Sequence, residues 1–324
     1  MLPSNKAIGG YFELELPQGF VEKYPGALGY QSARAAFMAL LQNSPAITRV
    51  WMPYYICDSM VSPVLAAGKE LAFYRIDQRF FIEDRLNLAE GDLLLYVNYF
   101  GVCDRNVLEL LCTYDPKRVV IDCSQAFYSG PFNCLATIYS PRKFFGVPDG
   151  GLLMTAVSIP EPLQIDEGSC QRATHLIKRL SFDAEAGYGD YQAAELTLSD
   201  VAPKRISQLT SRLLRSIDYD AVRARRKRNF SALHHALGST NRLSVDLDVI
   251  NGPMAYPYLP AEGALRQQLI SHRVFIATYW TEVLERVPQE GHEAKLVSNL
   301  CALPCDQRLS ADAVARIINL VERN

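Results

Sequence analysis

What most limits the fold of this chain is a series of short runs in which consecutive residues, rather than alternate ones, are apolar. Residues 48–52 (TRVWM), 70–74 (ELAFY), 92–96 (DLLLY), 118–121 (RVVI), 135–139 (LATIY) and 151–155 (GLLMT) all have strand length. A strand that is apolar on both faces must be covered on both. A parallel sheet flanked by helices does this, whereas a sheet with one wet face would show alternation. Segments with helical periodicity lie between the runs. Residues 31–42 place Ala33, Phe37, Leu40 and Leu41 on one stripe, residues 58–67 are helical with Pro63 as a kink and Gly68 as a C-terminal cap, and residues 105–113 form a further helix. The pattern predicts an α/β domain with a mostly parallel central sheet and helices on both of its faces.

The pattern changes after Asp166. Residues 205–216 and 220–237 read as long polar helices, residues 249–259 as a strand broken by prolines, residues 262–271 and 311–321 as helices, and residues 275–280 as a strand. A length of 324 residues suits two domains. We place a large domain with its N-terminal segment at 1–215 and a smaller α+β domain at 216–324.

Composition excludes several functional classes. Thirty-three basic residues stand against 35 acidic ones, a net charge of −2 that gives no general attraction to nucleic acid or anionic lipid. The basic run 223–228 (RARRKR) is read as a solvated helix face. Eight cysteines without a CxxC pair read as reduced thiols of a cytoplasmic protein, and five histidines without HxxxH or HExxH spacing assign no metal. The chain has no apolar stretch long enough for a signal core or a membrane span, and no GxGxxG, GxSxG or GxxxxGK[ST] motif.

In a parallel sheet, ligands collect at the C-terminal ends of the strands, so polar residues directly after the apolar runs are the candidate site. They are Asp122 with Cys123-Ser124-Gln125-Ala126, Asn98-Tyr99-Phe100-Gly101, Ser140-Pro141-Arg142-Lys143, and Asp149-Gly150-Gly151. Each has a plainer reading. An Asp after a strand often caps a turn, Arg142 and Lys143 can be a solvated pair, Asn98 a structural polar group, and the two glycines a tight turn.

Taken together, in this order and at this spacing, these segments resemble the fold-type-I enzymes of pyridoxal 5'-phosphate, and among them the DegT/StrS-type nucleotide-sugar aminotransferases. Residues 121–127 (IDCSQAF) resemble the family's EDAAQA stretch, and 137–151 (TIYSPRKFFGVPDGG) its lysine segment with the Gly pair that follows. Residues 29–36 (GYQSARAA) resemble SGTAAL, 53–57 (PYYIC) the PxxT segment, 98–101 (NYFG) the HLYG turn, 205–207 (RIS) the RMS triplet, and 303–308 the LPCDQR stretch. The likeness therefore runs through nearly the whole chain.

The resemblance implies a three-layer, mostly parallel α/β sandwich and an aminotransferase with an amino acid, such as glutamate, as amine donor to a keto sugar. The sugar would be nucleotide-linked and destined for cell-surface polysaccharide or related products. It implies Lys143 as the lysine that holds the cofactor's aldehyde and moves the substrate proton. Asp122 would face the pyridine nitrogen and stay ionised there, Gln125 would contact the ring hydroxyl, and the backbone amides of Ala33 and Arg34 would bind the phosphate. Ser140 or Thr137 would add a hydroxyl to the phosphate, and Tyr55 or Cys57 would lie over the ring, Tyr55 being the better stacking group. A homodimer is implied as well.

Three positions and the chain's length depart from the pattern. The phosphate serine expected five residues before the lysine is Ile138, the Asn expected two residues before the RIS arginine is Pro203, residue 98 is Asn rather than His, and the chain is short. They leave open a catalytically silent homologue with a binding or regulatory role. A pyridoxal-dependent sugar dehydratase is disfavoured, because such relatives carry histidine where this chain has Lys143.

Overall fold

The computed structural model describes residues 9–261 and 265–323. Chain order begins with β1 (Leu28–Tyr30), α1 (Ala33–Gln42), β2 (Arg49–Pro53), α2 (Asp58–Ala66), β3 (Glu70–Tyr74), β4 (Asp92–Val97), α3 (Asp104–Thr113), β5 (Val119–Cys123), β6 (Ala136–Tyr139) and β7 (Gly151–Thr155). A helical excursion follows, α4 (Ser169–Arg172), α5 (Thr174–Ser181) and α6 (Tyr188–Thr197). The remainder is α7 (Gln208–Arg215), α8 (Tyr219–Leu237), β8 (Ala255–Tyr258), α9 (Leu265–Ser271), α10 (His292–Asn299), β9 (Cys301–Pro304) and α11 (Ala311–Glu322).

The first seven strands form one sheet in the order β1-β7-β6-β5-β4-β2-β3, and β7 alone runs antiparallel to its neighbours. Strands β4, β5 and β6 are buried at every residue, which is why their sequences are apolar without alternation. Crossovers from strand to helix to parallel strand put the C-terminal ends of β1, β2, β4, β5 and β6 on one edge. Antiparallel β7 brings its first residue, Gly151, to the same edge, opposite Tyr30.

Local signals set the elements nearest that edge. Ser32 caps α1 by accepting from the Ala35 amide at 3.2 Å, and an Ala-rich stretch with no β-branched residue carries the helix to Gln42. Pro63 lies inside α2, which continues to Ala66, and Gly68 takes the left-handed φ of +66° that ends it. A second apolar core, with Phe230, Leu237, Tyr256, Leu303 and Ile317, joins α8, β8, β9 and α11. Other C-terminal residues, Ala255, Val283, Leu296 and Ala302, pack into the core of the main sheet.

The sequence expectations need correction in the later half. The helix expected over 205–216 starts only at Gln208, because Arg205 is extended and bridges the backbones of Tyr30 and Ile165 before Ser207 caps α7. Residues 275–280 are not a strand. They are irregular and end in Trp280 at a left-handed φ of 64°. Within 249–259 only Ala255–Tyr258 pairs, and of the helix expected over 262–271 the first three residues lie outside the described ones. The basic run is not wholly solvated, since Arg226 is 2 % exposed. Val222, Arg226, Phe230, Leu233 and Leu237 recur at helical spacing, so position 226 falls on the stripe that faces the core.

Candidate active site

Asp122 is the penultimate residue of β5, opposite Val97 of β4 and Ile138 of β6. Its carboxylate is buried and accepts from the Ser124 amide at 2.8 Å. Burial pushes this carboxyl above the usual carboxylate range, while the Lys143 ammonium and hydrogen bonding from Ser124 pull it partly back. Gln125 lies in the turn that follows. Its Oε1 accepts from the Phe100 amide at 2.9 Å, which fixes the amide orientation and leaves Nε2 buried without a partner among the described residues. A buried donor of that kind costs free energy unless a ligand satisfies it.

Lys143 ends the single turn Pro141–Lys143 after β6, and its amide donates to the Ser140 carbonyl at 3.2 Å. Its side chain is exposed, and its amine makes no hydrogen bond or ion pair among the described residues. The next residue is held firmly. The Phe144 carbonyl accepts from Arg226 Nη2 at 3.0 Å and from Gln307 Nε2 at 2.8 Å. Arg226 also lies over the Phe144 ring at 4.6 Å.

The N-terminus of α1 meets this edge. The amides of Ala33 and Arg34 occupy its first turn, where no intrahelical acceptor exists. Gly151 presses against them so closely that a Cβ there would overlap the backbone of Ser32 and Ala33. Cys57, the residue before α2, completes the group. Burial pushes its thiol up, Lys143 pulls it down and Asp122 pushes it up again, so all three lie within electrostatic reach.

Tyr55 lies elsewhere. Its ring is fully buried against Trp280 (4.8 Å) and Tyr99 (5.7 Å), its hydroxyl has no partner, and the ionisable groups acting on it are Tyr279 and Arg266. Within 53–57 it is Cys57 on which Lys143 acts electrostatically. Ser140 precedes the lysine turn, half-buried and without a capping hydrogen bond, while the Thr137 hydroxyl accepts from the Phe132 amide at 3.4 Å. Asn98 holds its own turn, accepting from the Cys103 amide at 3.1 Å and donating to Asp104 at 2.6 Å. Asp149 is structural. It accepts from both Arg172 and Thr210 in a buried network that includes Asp166 and Ser169.

Against solved structures, the chain aligns over 92 % of its length with 85 % of a DegT DnrJ EryC1 StrS aminotransferase from Brucella abortus, at 15 % identity and a TM-score of 0.62. The chain has the fold of these aminotransferases. The same fold is met in Bacillus subtilis NtdA with bound cofactor PMP (15 % identity, TM-score 0.65, covering 93 % of this chain and 73 % of that one). It is met again in Helicobacter pylori PseC, an aminotransferase involved in the biosynthesis of pseudoaminic acid (15 %, 0.56, 92 % and 86 %). No protein-family model and no curated protein matches the sequence. Within this aminotransferase fold, the edge that gathers Asp122, Gln125, Lys143 and the start of α1 is where a parallel α/β sheet binds its ligand.

Sequence reasoning passed over three groups here. Arg142 is not a solvated cation. Its Nη2 pairs with Glu195 of α6, and its Nε is buried without a partner. The Arg34 side chain donates to Ser59 Oγ at 2.6 Å, linking the starts of α1 and α2. Gln307 reaches the lysine loop from 163 residues away in sequence. Only the helical phase of Arg226 was a usable signal; the other contacts join segments with no pattern in common.

Proposed function

We propose that this chain is a pyridoxal-phosphate-dependent aminotransferase acting on a keto sugar, nucleotide-linked, with an amino acid such as glutamate as the amine donor. The observation that carries the reading is the exposed amine of Lys143 within electrostatic reach of the buried carboxyl of Asp122, after the ends of adjacent parallel strands in an aminotransferase fold. The residues fit the cofactor. Gln125 Nε2 is a buried donor in need of an acceptor, Asp122 is a buried carboxyl in need of a cation, and the first turn of α1 offers amides to an anion.

Pyridoxal phosphate, when bound, supplies an aldehyde that links to amines and a ring that takes up the electrons released when a neighbouring carbon loses its proton. Lys143 would supply the amine for that link and, once a donor amine has displaced it, its freed amine would be the group placed to take up and return a proton. Asp122, ionised by a cationic ring nitrogen, keeps a proton there. Gln125 orients the ring through its hydroxyl, and the amides of Ala33 and Arg34 hold the phosphate. Cys57 bounds the pocket on the α2 side, and Ser140 supports the turn that presents Lys143.

A large domain of 1–215 would carry this site, with 216–324 clamping the lysine loop through Arg226 and Gln307. We take the working unit to be a homodimer. Ile177, Leu180, Phe182, Tyr188 and Leu196, all exposed in the single chain, lie on the excursion that reaches Arg142 through Glu195.

Adding pyridoxal phosphate to purified protein should give the visible absorbance of the lysine-linked cofactor. Lys143→Ala should abolish it, and a suitable amino donor should bleach it in the wild type. Protein that stays colourless overturns the proposal. A coloured protein that no donor bleaches would instead be a catalytically silent homologue. Light scattering on the eluted protein tests the dimer.

A further inference from the structure

Positive charge is concentrated where α1 begins, with no acidic residue in its first turn. Arg34, in the first turn of the ten-residue α1, reaches Ser59 in the first turn of the nine-residue α2, and its remaining donors make no hydrogen bond among the described residues. Arg142 lies close enough to act on it electrostatically, and the carboxylate acting on Arg34, Glu195, is already paired with Arg142. Cys57 ties Arg34 to the Lys143–Asp122 group, because it interacts with all three. Two guanidiniums and the N-terminus of α1, whose first turn holds no acidic residue, thus share one carboxylate, an arrangement that favours an added dianion there, whereas the start of α2 already has Asp58 and the Glu282 carboxylate on its first amide.

Apart from Ser140, whose hydroxyl makes no capping bond, the neutral hydroxyls here are committed or absent. Ser32 Oγ caps α1, Ser59 Oγ accepts from Arg34, Thr137 Oγ1 is taken by the turn at Phe132, and position 138 is a buried isoleucine. An anion at the start of α1 therefore meets a guanidinium and one serine hydroxyl rather than a ring of hydroxyls.

Resting on the pyridoxal-phosphate reading above, we propose that the Arg34 side chain binds the phosphate of the cofactor, in addition to the backbone amides of its helix. A phosphate monoester carries between one and two negative charges at neutral pH and presents oxygens in the geometry a guanidinium fork matches. The same chemistry could be offered by the diphosphate of a nucleotide-linked substrate, so the test separates the two sources.

Apo-protein is titrated with pyridoxal phosphate, with pyridoxal lacking the phosphate, and with UDP, following the visible band for the first two and quenching of tryptophan fluorescence for the third. The wild type should prefer pyridoxal phosphate strongly over pyridoxal. Arg34→Met should weaken pyridoxal phosphate roughly ten- to hundredfold and leave pyridoxal unchanged, and Arg34→Lys should recover part of the loss. Arg34→Gln serves as the second variant if Arg34→Met fails to fold by circular dichroism. Equal weakening of both pyridoxal forms, no weakening of either, or a loss confined to UDP overturns the proposal. A wild type that forms no band with either pyridoxal form refutes the underlying reading instead, which keeps the two failures distinct.

Discussion

Arg226→Met keeps most of a buried side chain's volume and removes its charge. Four hydrogen bonds are lost, from Nε to Gln307 Oε1 (2.9 Å), from Nη1 to the carbonyls of Pro253 (3.0 Å) and Met254 (3.1 Å), and from Nη2 to that of Phe144 (3.0 Å). Each such bond from a charged donor contributes about 1.5–3 kcal/mol, but the losses overlap, and removing the guanidinium also removes its desolvation cost. The Phe144 carbonyl keeps its bond from Gln307 at 2.8 Å, which limits the damage there. We expect a net loss of about 3 kcal/mol, a sizeable share of the roughly 5–15 kcal/mol that holds a domain folded. Urea unfolding with an unchanged m-value measures it. Because Arg226 and Gln307 meet both each other and one carbonyl, Arg226→Met with Gln307→Leu should be non-additive by about 0.5–3 kcal/mol. A single-variant loss below about 1 kcal/mol, or strict additivity, would refute the clamp.

Three further outcomes follow from the same geometry. Asp122 has a carboxyl raised by burial, so the folded state favours its protonated form and loses stability as pH rises from the ordinary carboxylate value through the raised one. Asp122→Asn should therefore raise the apo-protein's melting temperature at about pH 7 and not at about pH 3, and an equal shift at both would contradict this. Gly151→Ala should cost about 1–3 kcal/mol or more, because the added methyl meets the backbone of Ser32 and Ala33 rather than a movable side chain. Weaker pyridoxal-phosphate binding should accompany that loss, and a melting curve like the wild type's would count against the close approach. Asp149→Ala takes from the buried Arg172 one of its two carboxylates, leaving Asp166, and from Thr210 its acceptor, and should cost about 3–5 kcal/mol by urea unfolding, with part regained in Asp149→Leu combined with Arg172→Met.

The sheet and the residues at its edge were legible for a physical reason. A strand covered on both faces must be apolar throughout, so β4, β5 and β6 announced themselves, and their polar continuations at Asp122 and Lys143 fell at the ligand edge by topology. The excursion α4 to α6 was not legible as part of a core, because Ile177, Leu180 and Leu196 stay exposed in the single chain. Residues 275–280 read as a strand from their apolar content, yet their aromatic rings pack onto Tyr55, Tyr99 and Phe100 without backbone pairing.

By itself the sequence determined a mostly parallel α/β sheet and the short polar segments at its ligand edge, since both follow from period and from chain direction. Tertiary structure alone decided which neighbours those segments have. It brought Cys57 within electrostatic reach of Lys143 while packing Tyr55 against Trp280 and Tyr99, turned Arg226 and Gln307 onto the lysine loop, and joined Arg34 to Ser59 and Arg142 to Glu195. The hydrogen bonds among these contacts join residues from 25 to 163 positions apart, and a pattern local to the sequence carries no record of distance across the fold.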